Sequence, residues 1–559
     1  MVFHGVSRGC AACRQKRKKC DEQRPECTRC VKAGRNCPGY ASETDIIFRN
    51  SNVASSSTSA SARMTAAFTD IRYSQVIDTG SQVDYNHCFL SIRQLQSLTK
   101  SQVELFAINS FLYNYTLIPK DSHLSRGFLS GIPSLIENEN GVSNISKAAR
   151  IVIYASLKNT EHGSYFAHLA SIWYLDLLQS FQASMANLSA KNTIESVTIA
   201  IILGLYEMIS TTTENPSDHT IHCHGAASIL SNSLTPFSKN PTVGLLQGSN
   251  VPASEKIQGY FLVWPHDLAP FQPDKDFPAP CLDALLCRVS PIFREGSDIF
   301  ASQNAPPARL RQLREYAWCL EQEMAQWPGT QPKEWKPKTL GYIPPILDGK
   351  GILEGTTCSP SRIDKYYDAY VSGVWNSYRK VRLVILSLLY ECDIRLKVEN
   401  PDDCFPACLT LQSYVKKHSG DLAEDMAASL FFHLLLDPSA ALPESATQHQ
   451  VGEFKLLYPN KACHALLIVH SLHAASVISI VPEYYRNMFR EHLVWIGEFM
   501  GIGQALMLAE PSFRFSREYV VDGHIMVWAG ALVNSKGIQG ILDDNNELFR
   551  CSASTRHNG

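Results

Sequence analysis

Six cysteines near the start of the chain constrain its N-terminal fold more than any other feature of the sequence. They lie at Cys10, Cys13, Cys20, Cys27, Cys30 and Cys37. Moving the first three by seventeen residues reproduces the second three, so the segment repeats the pattern C-x2-C-x6-C. Ordered cysteine spacing of this kind is typical of metal binding in a reducing compartment rather than of disulfide bonding. The repeat predicts two similar half-sites related by an approximate two-fold axis.

The number of thiols limits how two metals can be held. A structural zinc ion takes four tetrahedral ligands, so two separate ions need eight. Six thiolates fill eight positions if two of them each bridge both metals. The repeat requires a symmetry-related bridging pair, which leaves Cys10 with Cys27, Cys13 with Cys30, or Cys20 with Cys37. A single zinc with two spare cysteines is the simpler alternative, but it leaves the repeat unused.

Basic side chains lie inside the cysteine frame and are unevenly divided between its halves. Residues 1–40, here called the head, hold ten lysines and arginines against three acidic residues, whereas the whole chain carries a formal net charge of -2. Between its second and third cysteines, the first half has Arg14, Lys16, Arg17, Lys18 and Lys19, and the second half has Lys32 and Arg35. This distribution predicts an anionic partner for the head and places its first half against DNA.

The segment CAACRQKRKKCDEQRPECTRCVKAGRNC resembles the fungal six-cysteine binuclear zinc cluster of transcription factors. The resemblance covers every cysteine, the basic run, Asp21 after the third cysteine and Pro25 between the halves. It implies two zinc ions per chain, bridged by Cys10 and Cys27. In that arrangement one zinc takes Cys10, Cys13, Cys20 and Cys27, and the other takes Cys10, Cys27, Cys30 and Cys37.

The same resemblance gives roles to the basic residues. It implies that Lys16 and Arg17 contact bases of CGG-type triplets in double-stranded DNA, because lysine and arginine donate to guanine O6 and N7. The other basic residues are expected to contact phosphate, which adds affinity without sequence information. They are Arg8, Arg14, Lys18, Lys19 and Lys32. The protein is then expected in the nucleus, and RQKRKK also suits a nuclear import signal.

After the cysteine region the sequence predicts a linker and a large helical domain. Residues 41–85 are Ser-rich and poor in large apolar groups, which predicts a disordered linker. Residues 86–535 are expected to form an all-helical regulatory domain, and residues 536–559 a C-terminal tail. LGLYEMIST, HCHGAASILS and VWNSYRKVRLVIL resemble parts of the helical regulatory region of the same fungal factors. The expected fold class is mostly α, with a small zinc cluster domain at the N-terminus.

Two apolar stripes predict individual helices. One consists of Ile194, Val197, Ile201, Leu205 and Met208, which recur at helical spacing. Asn192 and Glu195 resemble a capping box at its start. The second stripe consists of Ile363, Tyr367, Tyr370, Val374, Tyr378 and Val381. No leucine heptad follows the cysteine region, so a homodimer contact is expected from the helical domain.

Signals for other kinds of function are weaker. The uncharged run over residues 462–481 carries three histidines, which favours a buried helix over a membrane span. The sequence contains no P-loop, G-x-S-x-G or H-E-x-x-H, so no enzyme is predicted. The segment HTIHCH could hold a metal through His219, His222, Cys223 and His224, although ordinary packing is the expected role.

Three functional classes follow from these observations. The leading one is a sequence-specific transcription factor of the RNA polymerase II type, which binds DNA and the transcription machinery. Its expected targets are a metabolic or secondary-metabolite biosynthetic gene cluster. The alternatives are a ligand-sensing or enzymatic helical domain whose zinc head only localises it, and a chromatin or RNA-binding adaptor. The first is favoured because the basic residues lie inside the metal frame rather than beside it.

Overall fold

A computed structural model divides the chain into two units, Met1–Ser74 and Gln75–Gly559. In the first unit the structure describes residues 13, 20, 21, 27–34 and 37. In the second it describes residues 100–133, 143–157, 163–185, 190–214, 218–232, 279–302, 305–343, 360–399, 411–442, 459–512, 517–531 and 533. We call the described part of the second unit the body. The predicted linker over 41–85 and the tail over 536–559 lie outside the described residues.

The fold is mostly α, as the sequence predicts. The head contributes α1 (Thr28–Lys32). The first half of the body contributes α2 (Lys100–Tyr115), α3 (Asn144–Ser156), α4 (Gly163–Met185), α5 (Ala190–Ser210), α6 (Thr220–Asn232), α7 (Ala279–Ala301) and α8 (Pro307–Thr330). The second half contributes α9 (Ala369–Glu399), α10 (Leu411–Ala428), α11 (Leu430–Leu434), α12 (Ala462–Val477), α13 (Glu483–Phe499), α14 (Gly503–Ala509) and α15 (Arg517–Gly530). Two 3-10 turns, Lys333–Trp335 and Pro438–Ala441, complete the helical elements of the described residues.

Helix α5 confirms the first apolar stripe but not its predicted start. Val197, Ile201, Leu205 and Met208 are all buried on its inner face. The helix already begins at Ala190, so Asn192 lies inside it. A capping residue has a non-helical backbone. The predicted capping box is therefore wrong, because the helix starts two residues before Asn192.

The start of the second predicted stripe is a strand rather than a helix. Strand β1 (Lys338–Tyr342) pairs antiparallel with β2 (Arg362–Lys365), and Ile363 lies buried in β2. The hydroxyl of Thr339 donates to the Asp364 carboxylate across the two strands at 2.8 Å, which helps to fix their register. Because this pairing satisfies the backbone locally, the helix starts later than its apolar spacing suggests.

Asp368 sets the true start of α9. Its Oδ1 accepts a hydrogen bond from the backbone N–H of Val371 at 2.9 Å, the geometry of an N-cap, and the helix begins at Ala369. After Ala369 the second predicted apolar stripe is confirmed, since Tyr370, Val374 and Tyr378 are buried. The predicted helix is confirmed from this point on, with its first turn replaced by the strand and the cap.

Two buried helices form the centre of the body. Helix α9 packs against α8, α10 and α12, and nearly every side chain of α12 is buried. Leu466, Ile468 and Leu472 of α12 are each exposed by no more than 2%. The run over residues 462–481 therefore contains an interior helix, as its histidines suggest. Among the described residues, no helix is both long enough and apolar enough to cross a bilayer.

An ion pair joins the central helices inside the body. Glu321 of α8 is fully buried, and both of its carboxylate oxygens accept from Arg382 Nε of α9 at 3.1 Å. The hydroxyl of Tyr414 on α10 also donates to Glu321, at 3.2 Å, while Arg382 Nη1 donates to Tyr378 at 3.0 Å. Three helices are therefore held in register by one charged group and its hydrogen bonds.

We expect Glu321→Ala to lower the free energy of unfolding of the full-length protein by about 3–5 kcal/mol, because it leaves Arg382 buried without a counter-charge. The double replacement Glu321→Leu with Arg382→Met removes both charges and should cost much less. Urea denaturation followed by far-UV circular dichroism measures both. Equal losses for the single and double variants would contradict the role given to the pair.

Candidate metal centre and nucleic-acid interface

The second half of the cysteine repeat folds around a short helix. Cys27 is the N-cap of α1, and its Sγ accepts a hydrogen bond from the backbone N–H of Cys30 at 3.4 Å. The C-x2-C spacing makes this bond possible, because one helical turn brings the fourth residue back over the first. Gly34, with φ +59, follows the helix in the left-handed conformation that commonly ends a helix. Both thiols are thereby directed into the same interior.

Asp21 links the first half of the repeat to the second. Its Oδ2 accepts from the backbone N–H of Thr28, the first residue of α1, at 3.1 Å. This N–H is one of the helix-start groups without a partner inside the helix, and a carboxylate is also favoured there by the helix dipole. The acidic residue after the third cysteine therefore has a structural role.

The described cysteine thiols form two groups that share one member. The sulfur atoms of Cys13, Cys20 and Cys27 lie within 4.8 Å of one another. Those of Cys27, Cys30 and Cys37 do so as well. Cys27 is thus common to both, and it is completely buried. A shared thiol between two groups is the arrangement that a binuclear cluster with bridging ligands requires.

The spacing of these sulfurs fits zinc and not a disulfide. Cys13 Sγ and Cys27 Sγ are 3.8 Å apart. A tetrahedron with Zn–S bonds of about 2.3 Å has sulfur-to-sulfur edges of about 3.8 Å, whereas a disulfide bond measures about 2.05 Å. None of the five described cysteines of the head forms a disulfide, and together they make up the buried cluster of its described residues. The thiols thus occupy the place that apolar side chains hold in a larger domain.

The structure describes only part of the predicted DNA-binding set. Lys32 is exposed on α1, and Arg29 is exposed one turn before it on the same face. Arg29 lies between Cys27 and Cys30, so a comparison of the segments between the second and third cysteines of each half does not identify it. The other predicted residues of the site lie outside the described residues. They are Arg8, Cys10, Arg14, Lys16, Arg17, Lys18 and Lys19.

The HTIHCH segment does not bring its side chains together. His219 and Cys223 are buried, His224 is exposed, and His222 Nε2 lies 3.6 Å from the Glu207 carboxylate. Among the described residues, the groups with metal-ligand spacing are the two cysteine groups of the head. The start of α6 points its four candidate ligands in different directions, so this segment packs as a helix end.

Comparisons with known proteins agree with this geometry. Residues 8–45 match the family model of the fungal Zn(2)-Cys(6) binuclear cluster domain. The chain is 27% identical to Transcription factor dbaG of Emericella nidulans over 442 residues, which cover 77% of this chain and 97% of that protein. It is 59% identical over 32 residues to the Aspercryptin biosynthesis cluster-specific transcription regulator atnN of the same organism, over 6% of this chain and 5% of that protein. No solved structure gives a significant match.

The head is therefore a binuclear zinc cluster domain, a class that binds two zinc ions through six cysteines. Along most of its length the chain is also similar to a transcription factor, so head and body together resemble a fungal Zn(2)-Cys(6) transcription factor, a DNA-binding regulator of transcription. The resemblance stated from the cysteine segment is confirmed.

The position of Cys27 in both sulfur groups predicts unequal effects of cysteine replacement. We expect two zinc ions per full-length chain by native mass spectrometry. Cys27→Ala should disturb both metals, because its thiol belongs to both groups, whereas Cys13→Ala should remove chiefly one. Cys319→Ala is the matched control, since Cys319 is an exposed free thiol of the body. One zinc in the unaltered protein, or one zinc retained in full by Cys27→Ala, would contradict the bridging arrangement.

Proposed function

We propose that this protein is a nuclear, sequence-specific transcription factor whose binuclear zinc cluster binds CGG-like triplets in double-stranded DNA. The observation that carries the proposal is the sharing of Cys27 between two groups of thiols, each with zinc-like spacing. Zinc binding of this kind folds a short segment that cannot build a hydrophobic core of its own. The folded head then presents basic side chains on a rigid frame.

The ligand sets follow from the shared thiol and from the repeat. One zinc is held by Cys13, Cys20 and the bridging pair Cys10 and Cys27. The other is held by Cys30, Cys37 and the same bridging pair. The position of Cys27 favours this choice among the three symmetric pairs, because neither Cys13 nor Cys30 is common to both sulfur groups. The symmetry of the repeat then requires Cys10 as the second bridge.

The first half of the head is the part that faces the DNA. Lys16 and Arg17 donate to guanine edges in the major groove, which gives sequence preference. Arg8, Arg14, Lys18, Lys19 and Lys32 contact phosphate, which gives affinity and salt dependence. The exposure of Lys32 on α1 supports its part of this assignment. Arg29, exposed on the same face, joins the phosphate contacts.

The targets we propose are the genes of a biosynthetic cluster for a secondary metabolite. Support comes from the name of one relative, a biosynthesis cluster-specific transcription regulator, whose similarity lies within a 32-residue segment. The match to a second transcription factor extends over 97% of that protein, which supports assigning the body to the same kind of regulator. We assign residues 86–535 to this regulatory domain, which is not an enzyme and recruits the transcription machinery.

We expect Lys16→Ala and Arg17→Ala each to weaken binding to a CGG duplex by about 1–3 kcal/mol, roughly 5- to 150-fold, with little effect on random DNA. Lys32→Ala is the matched control from the other half of the head. It should weaken both duplexes alike and reduce the salt slope by about one unit, as expected for one phosphate contact. Fluorescence anisotropy at several salt concentrations measures all three. Equal loss on CGG and random DNA for Lys16→Ala and Arg17→Ala would make these residues phosphate contacts instead.

One zinc cluster contacts only a few base pairs, which limits its sequence specificity. A homodimer held together by contacts between two bodies would bring two clusters to the DNA and increase that specificity. We expect the full-length chain to prefer paired CGG triplets over a single triplet, and a chain lacking residues 86–559 to lose that preference. Analytical ultracentrifugation and binding to both duplexes measure this. If the shortened chain retains the whole preference, the dimer contact lies outside the body.

A further inference from the structure

The small sheet of the body has one strand edge without a partner strand. Strands β1 and β2 form a two-stranded sheet, so among the described residues no strand pairs with the edge of β1 that faces away from β2. We call this the β1 edge, and it comprises Lys338–Tyr342. An edge of this kind presents backbone N–H and C=O groups at the spacing that a further strand needs.

The two strands receive unequal support from the rest of the body. Strand β2 packs against α10 and α11, and its Ile363 and Asp364 are buried. Strand β1 packs chiefly against β2, and all its residues are exposed except Gly341, which is half-buried. A pair of strands is only marginally stable in water until a third strand or a packed face completes it. The helices complete β2 in this way, and β1 is the strand that a third strand would stabilise.

Leu442 packs against a face of β1 and leaves its edge uncovered. A Cβ at Gly341 would lie 2.7 Å from Leu442 Cδ2, so the leucine lies directly against the backbone of the strand. Side chains stand roughly perpendicular to a sheet, which means that the Cβ direction marks a face and not an edge. The hydroxyl of Thr339 bonds to Asp364 of β2. Both contacts hold β1 in place without covering its outer backbone groups.

The charge at the start of the β1 edge is positive. Lys338 and Lys365 lie directly opposite each other in the register of the sheet, and both are exposed. Like charges in this position destabilise a strand pair. The carboxylates that lie next to β2 pair with Arg362 instead, and they are Asp364, Glu424 and Asp425. An anion from outside the fold would therefore relieve the repulsion between the two lysines.

The 3-10 turn before β1 adds to this positive charge. Lys333 and Lys336 are exposed there, and Glu334 is the acidic residue between them. With Lys338 and Lys365 this part of the surface has four ammonium groups and one carboxylate. Interfaces pair positive patches with negative ones, so an acidic chain is the complement of the start of the β1 edge.

The other end of the β1 edge is apolar. Tyr342 is 72% exposed and Leu340 is 37% exposed, and Leu340 is the extra residue of a bulge. Exposed apolar side chains on an edge strand are typical of a docking site or of an aggregation site. The lysines distinguish the two, because Lys338 of one copy would repel the β1 edge of a second copy. An acidic strand avoids this repulsion.

We propose that the β1 edge binds an extended, acidic segment of a partner protein, which joins the sheet as a third strand. The backbone of the segment pairs with β1, its acidic side chains lie beside Lys338 and Lys365, and an apolar side chain contacts Tyr342. Duplex DNA is also a polyanion, but it has no peptide backbone with which to continue the sheet. The β1 edge belongs to the body, so this proposal is tested separately from DNA binding by the head.

An acetylated octapeptide in which aspartate alternates with valine tests the proposal. Added to the full-length, zinc-loaded protein at low salt, the labelled peptide should bind saturably, one per chain, by fluorescence anisotropy. The same peptide with lysine in place of aspartate should not bind, because its charge matches that of the site. Hydrogen exchange of the β1 amides should slow when the acidic peptide binds, which locates it on this strand.

N-methylation of the peptide separates pairing of the backbone from attraction of charge. Methyl groups on alternate amides remove the donors of one edge and leave every side chain unchanged. One of the two alternate series should bind at least about tenfold more weakly, because it loses more than one hydrogen bond to β1. The other series should retain most of the binding.

Variants of the protein test the role of Lys338. Lys338→Glu should weaken binding of the acidic peptide about fivefold or more, because a repulsion replaces an attraction. It should also allow the lysine-valine peptide to bind, and that gain would show that β1 is folded in the variant. Lys417→Glu, which changes an exposed lysine of α10, is the matched control and should bind the acidic peptide like the unaltered protein.

Four results would overturn the proposal. They are no saturable binding of the acidic peptide, equal binding of the two N-methylated series, equal binding by Lys338→Glu and the unaltered protein, and slowed exchange elsewhere without slowed exchange in β1. Random duplex DNA provides a further arm and should bind the Lys338→Glu variant and the unaltered protein alike. If the variant instead weakens binding of this duplex as much as that of the peptide, the lysines contact phosphate and a protein partner is wrong.

Discussion

The thiol of Cys27 is the point on which the architecture of the head depends. It caps α1, accepts the Cys30 N–H and belongs to both sulfur groups. Because the buried residues in the described part of the head are all cysteines, no apolar packing there replaces a lost thiol. Zinc binding and folding are thus one equilibrium there. The basic residues acquire a fixed arrangement only as a consequence of that equilibrium, which is why they lie between the cysteines rather than beside them.

The cysteine cluster of the head and the helices of the body could largely be predicted from the sequence, because cysteine spacing and apolar stripes are local, periodic patterns. Cysteine spacing gives ligand number directly, and the stripe through Val197 and Leu205 gives a helix face directly. The sequence predictions were wrong where a tertiary contact overrides a local sequence pattern. Ile363 continues a helical stripe, yet pairing of β2 with β1 holds it in a strand. Asp368 carried the correct start signal for α9.

The interior of the body could not be predicted in this way. His219, Lys380 and His470 are separated by many helices in sequence, and no short motif connects them. HTIHCH drew attention to His219, but for a metal site that the helix geometry does not form. The relevant signal is the absence of partners for buried atoms, such as His470 Nδ1, and this exists only once the helices are packed. Asp21 and Arg29 lie between these two extremes of predictability. The hydrogen bond of Asp21 and the exposure of Arg29 both follow from the position of one short helix, α1.

The two basic regions of the molecule differ in how water and salt act on them. Lys32 of the head is exposed, so added salt screens its attraction for phosphate over a distance of about 8 Å at about 0.15 M ionic strength. Lys380 lies inside the body, where burial disfavours its charge and lowers its pKa to about 7. Electrostatic interactions in the interior are screened far less, because the local dielectric is low. Affinity of the head for DNA must therefore fall as ionic strength rises, whereas the charge on Lys380 responds little to added salt. Salt thus acts on the exposed basic side chains of the head and hardly at all on the buried lysine of the body.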